Sequence, residues 1–226
     1  FGGWDFKPGD DLRSDYVALG DEKGVPMGGE LHRDAAVAAT RQAYESGKTR
    51  KSETLSLLGY NQPGEAGAVD NPYLGIAAEI AKQVKAPTFL VVAVKDPLFG
   101  NLDRVQMGKG WRDSEGELHE KVHNIAWGDA EKRSMGADGK IPPVGNTVNV
   151  PDASWTNSIG DVQLTTVWQD PDFDSSEQAF YYVRVLEIPT PRWTAYDAKR
   201  FNVTMGEEVP MITQERAYTS PIWYTP

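Results

Sequence analysis

The chain has 226 residues, 39% of them hydrophobic, and its 23 Lys+Arg against 33 Asp+Glu leave a net charge of -10. That length buries a real core without covalent staples, and the absence of cysteine removes disulfides, thiolate zinc sites, iron–sulfur clusters and cysteine nucleophiles together. The acidic balance argues against nucleic acid as a partner, and the longest apolar run, Phe89 to Val94, falls far short of the roughly 20 residues of a membrane-spanning helix, so no membrane span is expected.

The sequence opens on Phe1-Gly-Gly-Trp-Asp-Phe6, an aromatic start that makes a poor solvated terminus. Residues 1–31, which end near the turn signal Gly24-Val-Pro-Met-Gly-Gly29, are expected to be an irregular entry segment, with Phe1, Trp4 and Phe6 forming an interface to an N-terminal neighbour. On this expectation the chain is a fragment or a processed product.

Residues 32–86 change character. Ala-rich helices are predicted from Asp34 to Glu45 and from Tyr73 to Lys85, the first capped by Asp34 and closed by Gly47, the second opened by Asn71-Pro72. Leu74, Ala77, Ala78, Ala81 and Val84 give that second helix one apolar face.

From Pro87 to the end the pattern turns to strands: Thr88 to Lys95, Leu102 to Gly108, Glu117 to Trp127, Gln163 to Trp168, Ala179 to Ile188, and a last, Pro-interrupted run from Tyr218 to Tyr224. Turn signals such as Phe99-Gly-Asn, Asp113-Ser-Glu-Gly and Asp170-Pro-Asp separate them. The expected fold is mainly β, an antiparallel β-sandwich over 87–226 with a helical insertion at 32–86; helices do not alternate with strands, which disfavours a parallel α/β sheet.

Three constellations bear on chemistry. His119, Glu120 and His123 spell His-Glu-Lys-Val-His, the zincin string, which needs a helix and a third ligand downstream. Here the flanking Val122, Ile125 and Trp127 fit a strand and no later histidine follows, so a surface strand with two titratable imidazoles is favoured. Asp170, Asp172 and Asp174 alternate as at the start of a calcium loop and are candidate ligands for a structural Ca²⁺, although Ser175 and Tyr181 stand where such a loop wants Gly and Glu; a solvated acidic turn is the plainer alternative. Gly47-Lys-Thr49 lacks the leading glycine of a phosphate loop, because Gln42 stands there. Seven tryptophans spread along the chain suit core and interface positions more than a single sugar-stacking platform.

Several longer strings, Asn101-Leu-Asp-Arg-Val-Gln106, Pro142-Pro-Val-Gly-Asn-Thr147, Trp168-Gln-Asp-Pro-Asp-Phe-Asp174, Phe180 through Trp193, and Gln214 through Pro226, together with the opening Phe1–Phe6 string, resemble the C-terminal part of domain-of-unknown-function family 3604. That bacterial family is similar to the polymerase-and-histidinol-phosphatase (PHP) type of metallohydrolase, and many members carry a secretion signal. The resemblance covers about residues 1–31 and 86–226 and leaves the Ala-rich middle out. It implies an accessory region that lacks catalytic metal ligands of its own, an N-terminal PHP-like barrel of the same precursor as partner and holder of the divalent metal, a periplasmic or secreted location, and association with a second copy as an option. The competing expectation is a free-standing carbohydrate-type binding module using exposed Trp and Tyr; a zincin-like hydrolase comes third.

Overall fold

A computed structural model describes residues 1–32 and 85–226 of the chain. The described residues are mainly β, in two facing sheets. The smaller sheet has four strands, β1 (Gly2–Gly3), β2 (Gly24–Val25), β4 (Thr88–Val94) and β7 (Gln163–Gln169), in the order β2-β1-β4-β7, all antiparallel. The larger runs β3 (Glu30–His32), β12 (Ile222–Thr225), β8 (Gln178–Glu187), β5 (Leu102–Arg112), β6 (Leu118–Trp127), with β11 (Arg216–Tyr218) beside β12 on the same edge of β8. Only its β3–β12 pair is parallel. A two-stranded ribbon, β9 (Thr190–Pro191) with β10 (Ile212–Thr213), and two helices, α1 (Tyr16–Lys23) and α2 (Trp193–Phe201), complete the described part.

Alternation builds the core. Phe89, Val91 and Ala93 of β4 and Leu164 of β7 point inward against Val105 and Met107 of β5, Ala179, Tyr181 and Val183 of β8, and Ile222 and Tyr224 of β12. The rings of Phe89 and Tyr181 meet across the interior at 4.7 Å. Strand β4 reads as a continuous apolar run because its other face is covered too: Leu90 is buried, and the 3-10 turn at Asp10–Leu12 packs on the outside of β4 and β7, where Thr165 Oγ1 donates to Asp11 Oδ2 at 2.8 Å.

The first 31 residues differ from the expected irregular entry segment, since they supply β1, β2, α1 and the start of β3. Trp4 and Phe6 correspondingly face this chain's own core rather than a neighbour: both are buried, and Trp4 makes edge contacts with Phe173 at 6.0 Å and Tyr224 at 6.1 Å. Phe1 is half-buried with its ring against Gly20 of α1. Glycines that read as turn signals instead permit close backbone approach, because a Cβ on Gly24 would stand 2.3 Å from the Gly2 carbonyl oxygen. At the other end, the run from Tyr218 to Tyr224 splits around Pro221 into β11 and β12, which both pair with β8; Thr219 bridges the gap with its N–H on the Val183 carbonyl and its hydroxyl on the Val183 N–H. The predicted helices at 34–45 and 73–85 lie outside the described residues but for Lys85.

Candidate functional site

The chemistry-bearing residues of the sequence meet at one end of the sandwich, where the segment after β7 folds over the inner face of the larger sheet. Lys109 sits on β5 in register with the core residues Val105 and Met107 and is 2% exposed, so its ammonium needs an anion. Asp170, equally buried, provides it at 2.7 Å. Lys109 Nζ also donates to the Asp172 carbonyl at 2.7 Å and stands 5.1 Å from the Trp111 ring centre. Asp170 further accepts from the Tyr181 hydroxyl at 2.7 Å and from the Asp172 N–H at 2.9 Å. Burial, and then the Asp170 charge, push the Tyr181 phenol far above its ordinary value, which keeps it a donor.

The three aspartates therefore face three different partners. Asp172 pairs with Lys121 on β6, which holds its carboxyl below the usual range, and Asp174 accepts from the Ser176 hydroxyl and N–H at 2.6 and 2.8 Å. A Ca²⁺ wants six to eight oxygens around one point, whereas the charges of Asp170 and Asp172 are already met by ammonium groups. This donor set does not fit the ion, and among the described residues no three His, Asp or Glu side chains gather as a metal site.

His119, Glu120 and His123 lie on β6, an extended strand. The two imidazoles share a face but stand about 13 Å apart along the strand, too far for one zinc, and Glu120 points to the opposite face. His119 accepts or donates at Asp113 (2.6 Å) and stacks on Trp111 at 5.1 Å. His123 is 14% exposed, packs near Trp168 and has Nε2 3.8 Å from Asp172, beyond hydrogen-bonding reach. Burial, then Lys121, lowers its pKa, against the pull of Asp170 and Asp172. Because the folded value lies below the unfolded one, the unfolded chain binds the proton first, so His123 costs stability as pH falls below the ordinary 6.5 and the loss grows until the folded value is passed. In thermal melts across that range His123→Phe flattens this part of the pH profile; an unchanged slope would show that another group causes it.

Two further surfaces were not flagged by sequence. On the outer face of the larger sheet the rings of Trp223, Phe180, Tyr182 and Tyr218 form a row with centre-to-centre steps of 5.3, 6.4 and 6.3 Å. The neighbours of Phe180 and Tyr182 on β5 are Gly110 and Gly108; a Cβ on either glycine would fall 2.4 Å from the ring. The rings therefore lie flat on the backbone, and the readable signal was the Gly-x-Gly of β5 opposite the Phe-x-Tyr of β8. The second surface is α2, which buries the small Thr194 and Ala195 while Trp193, Tyr196 and Phe201 stay 62%, 43% and 63% exposed. Arg192 and Arg200 lie over the Trp193 and Phe201 rings.

No curated protein and no solved structure matches the chain. The family model for proteins of unknown function DUF3604 matches residues 66–226. Its match takes in all of the strands from β4 onward, with β5, β8 and the 170–177 segment that build the buried ion pair, and begins inside the stretch expected as an insertion. The chain belongs to the DUF3604 family.

Proposed function

We propose that this chain is an accessory β-sandwich region of a PHP-like, metal-dependent hydrolase of bacterial, secreted or periplasmic setting, with the catalytic divalent metal held by an N-terminal barrel of the same precursor. The observation that carries this reading is α2: its nine residues turn their large aromatic side chains outward and their small ones inward, the reverse of what a helix serving only its own core requires. Such a face suits a partner surface, and Arg192 and Arg200 beside the rings add charge at its rim. His119 and the aspartates of the 170–174 segment support a structural role, since Asp113, Lys109, Lys121 and Ser176 occupy them.

The reading frame upstream of Phe1 tests the parent; a His-x-His metal motif there is the expected finding, and a frame without histidine and aspartate ligand motifs overturns the proposal. With the precursor in hand, Trp193→Ala with Phe201→Ala raises amide exchange along α2 and on the barrel surface it covers, while the melting of the sandwich itself stays within a few degrees. Unchanged exchange on the barrel removes α2 as the contact.

A further inference from the structure

We propose that the outer face of the larger sheet binds a short uronate-containing oligosaccharide, whose sugar rings stack on Trp223, Phe180, Tyr182 and Tyr218 while a sugar carboxylate meets Arg184 and Arg216. The site uses no residue of α2 and stands independently of the accessory role.

The platform is built rather than incidental. With glycine at 108 and 110, Phe180 and Tyr182 have no side chain beneath them and lie against the sheet, so each ring turns its other π-face outward. Trp223 and Tyr218, at the two ends, are 51% and 57% exposed. The steps of 5.3 to 6.4 Å are about the length of one sugar residue, and the interplanar angles along the row are 47°, 19° and 32°. A run of exposed aromatic rings along a sheet suits the C–H faces of pyranoses.

Polar groups for the hydroxyls run alongside. Arg184 donates through Nε and Nη2 to Gln106 Oε1 at 2.8 and 2.5 Å, and Gln106 Nε2 donates to Asn124 Oδ1 at 2.9 Å, which places a guanidinium and two amides across β8, β5 and β6. At the Tyr218 end, Tyr218 stands opposite Arg184 across the β11–β8 pair with Arg216 two residues away on the same strand, and the two guanidinium groups beside it draw the phenol pKa down. Ion pairs of arginine among the described residues are those of Arg13, Arg104 and Arg133, so Arg184 and Arg216 bring two positive charges without a carboxylate partner to one phenol. On a chain of net charge -10 this is a local exception. It matches a ligand with one carboxylate at that end and uncharged sugar elsewhere; a dense polyanion would be repelled by the rest of the surface.

Calorimetric and NMR titration of the full chain with tetragalacturonate, tetraglucuronate, a neutral cello-oligosaccharide and a single-stranded DNA oligonucleotide tests this. A uronate tetramer is expected to bind with shifts on the outer face of the larger sheet, at β8, β11, β12 and the Gln106 and Asn124 positions of β5 and β6, more tightly than the neutral sugar. Tyr182→Ala weakens both sugars by about tenfold or more, the scale of one lost stacking partner. The exposed Arg216→Gln weakens only the uronate, which separates the charge from the platform and guards against a Tyr182 variant that merely packs poorly. No binding of either uronate, tighter binding of DNA, equal affinity in Arg216→Gln, or self-association through Trp223 with no sugar response overturns the proposal.

Discussion

Replacing Lys109 by methionine destabilises the protein by about 3–5 kcal/mol, the scale for leaving one partner of a buried ion pair uncompensated. The loss arises from Asp170. Its side chain is fully buried and has three donors, Lys109, Tyr181 and the Asp172 N–H; methionine fills much of the lysine volume but leaves the carboxylate with two neutral donors in a low-dielectric site. The melting temperature falls by on the order of 10 °C for a domain of this size. Asp170→Asn alone keeps an acceptor for Tyr181 but strands the ammonium of Lys109, so it costs a similar amount. The combined Lys109→Met, Asp170→Asn variant removes both charges and recovers most of the loss, because a buried pair is worth far less than the penalty for breaking it from one side. Guanidinium melts of the four proteins close this cycle. Additive losses in the double variant, or a Lys109→Met protein within about 1 kcal/mol of the parent, would mean that water or a neighbouring group compensates Asp170.

This pair also shows what the sequence could and could not disclose. Strands β4 to β8 were legible because residue pattern is a local signal: the continuous apolar run from Phe89 to Val94 and the aromatic and β-branched run from Ala179 to Ile188 stand out between turn signals without reference to any partner. The strand character of the His119–His123 span followed from its Val122, Ile125 and Trp127 neighbours in the same way. Partners across the sandwich are a different matter. Asp170, Asp172 and Asp174 look like one acidic cluster along the chain, but Lys109 arrives from 61 positions away to Asp170 and Lys121 from β6 to Asp172, while Asp174 turns to Ser176, so two of the three are claimed by cations that no local window contains. Short elements defeat periodicity as well. Strands β1 and β2 have two residues each and are fixed by glycine contacts, and the aromatic opening reads as an outward face until pairing with β4 carries Trp4 inside. Helix α2 was missed for the opposite reason: its aromatic residues face solvent and its small ones the core, so hydrophobicity points to the wrong side.

Arg133→Ala is expected to cost a further about 3–5 kcal/mol, and Arg133→Lys nearly as much. Residues 128–162 connect β6 to β7 with turns and two isolated bridges, Leu102 to Asp161 and Asn149 to Ser154, so few backbone ladders hold them. The Arg133 guanidinium does so instead: Nη2 donates to Asp103 Oδ1 at 2.7 Å and to the Pro142 carbonyl at 2.8 Å, Nη1 to the Gly128 carbonyl at 3.0 Å, and Nε again to Pro142 at 3.1 Å. With its side chain 7% exposed and that of Asp103 3%, neither charge reaches water. A planar fork reaches these acceptors at once; the single ammonium of lysine meets one or two and leaves buried carbonyls bare. Asp103 would then keep only Arg104 at 3.0 Å and Gln214 at 2.9 Å, both on its other oxygen. Amide exchange distinguishes the local from the global consequence. In Arg133→Lys, protection should be lost first at the 128–142 amides and at Gly128, whose N–H bonds the Asp103 carbonyl, while β4 and β8 exchange only with global unfolding. Wild-type stability and exchange in Arg133→Lys would show that Asp103 alone anchors the segment. Since Gln214 leads into β11, the same loss would then spread toward Arg216 and Tyr218, coupling the buried arginine to the outer aromatic row through one carboxylate.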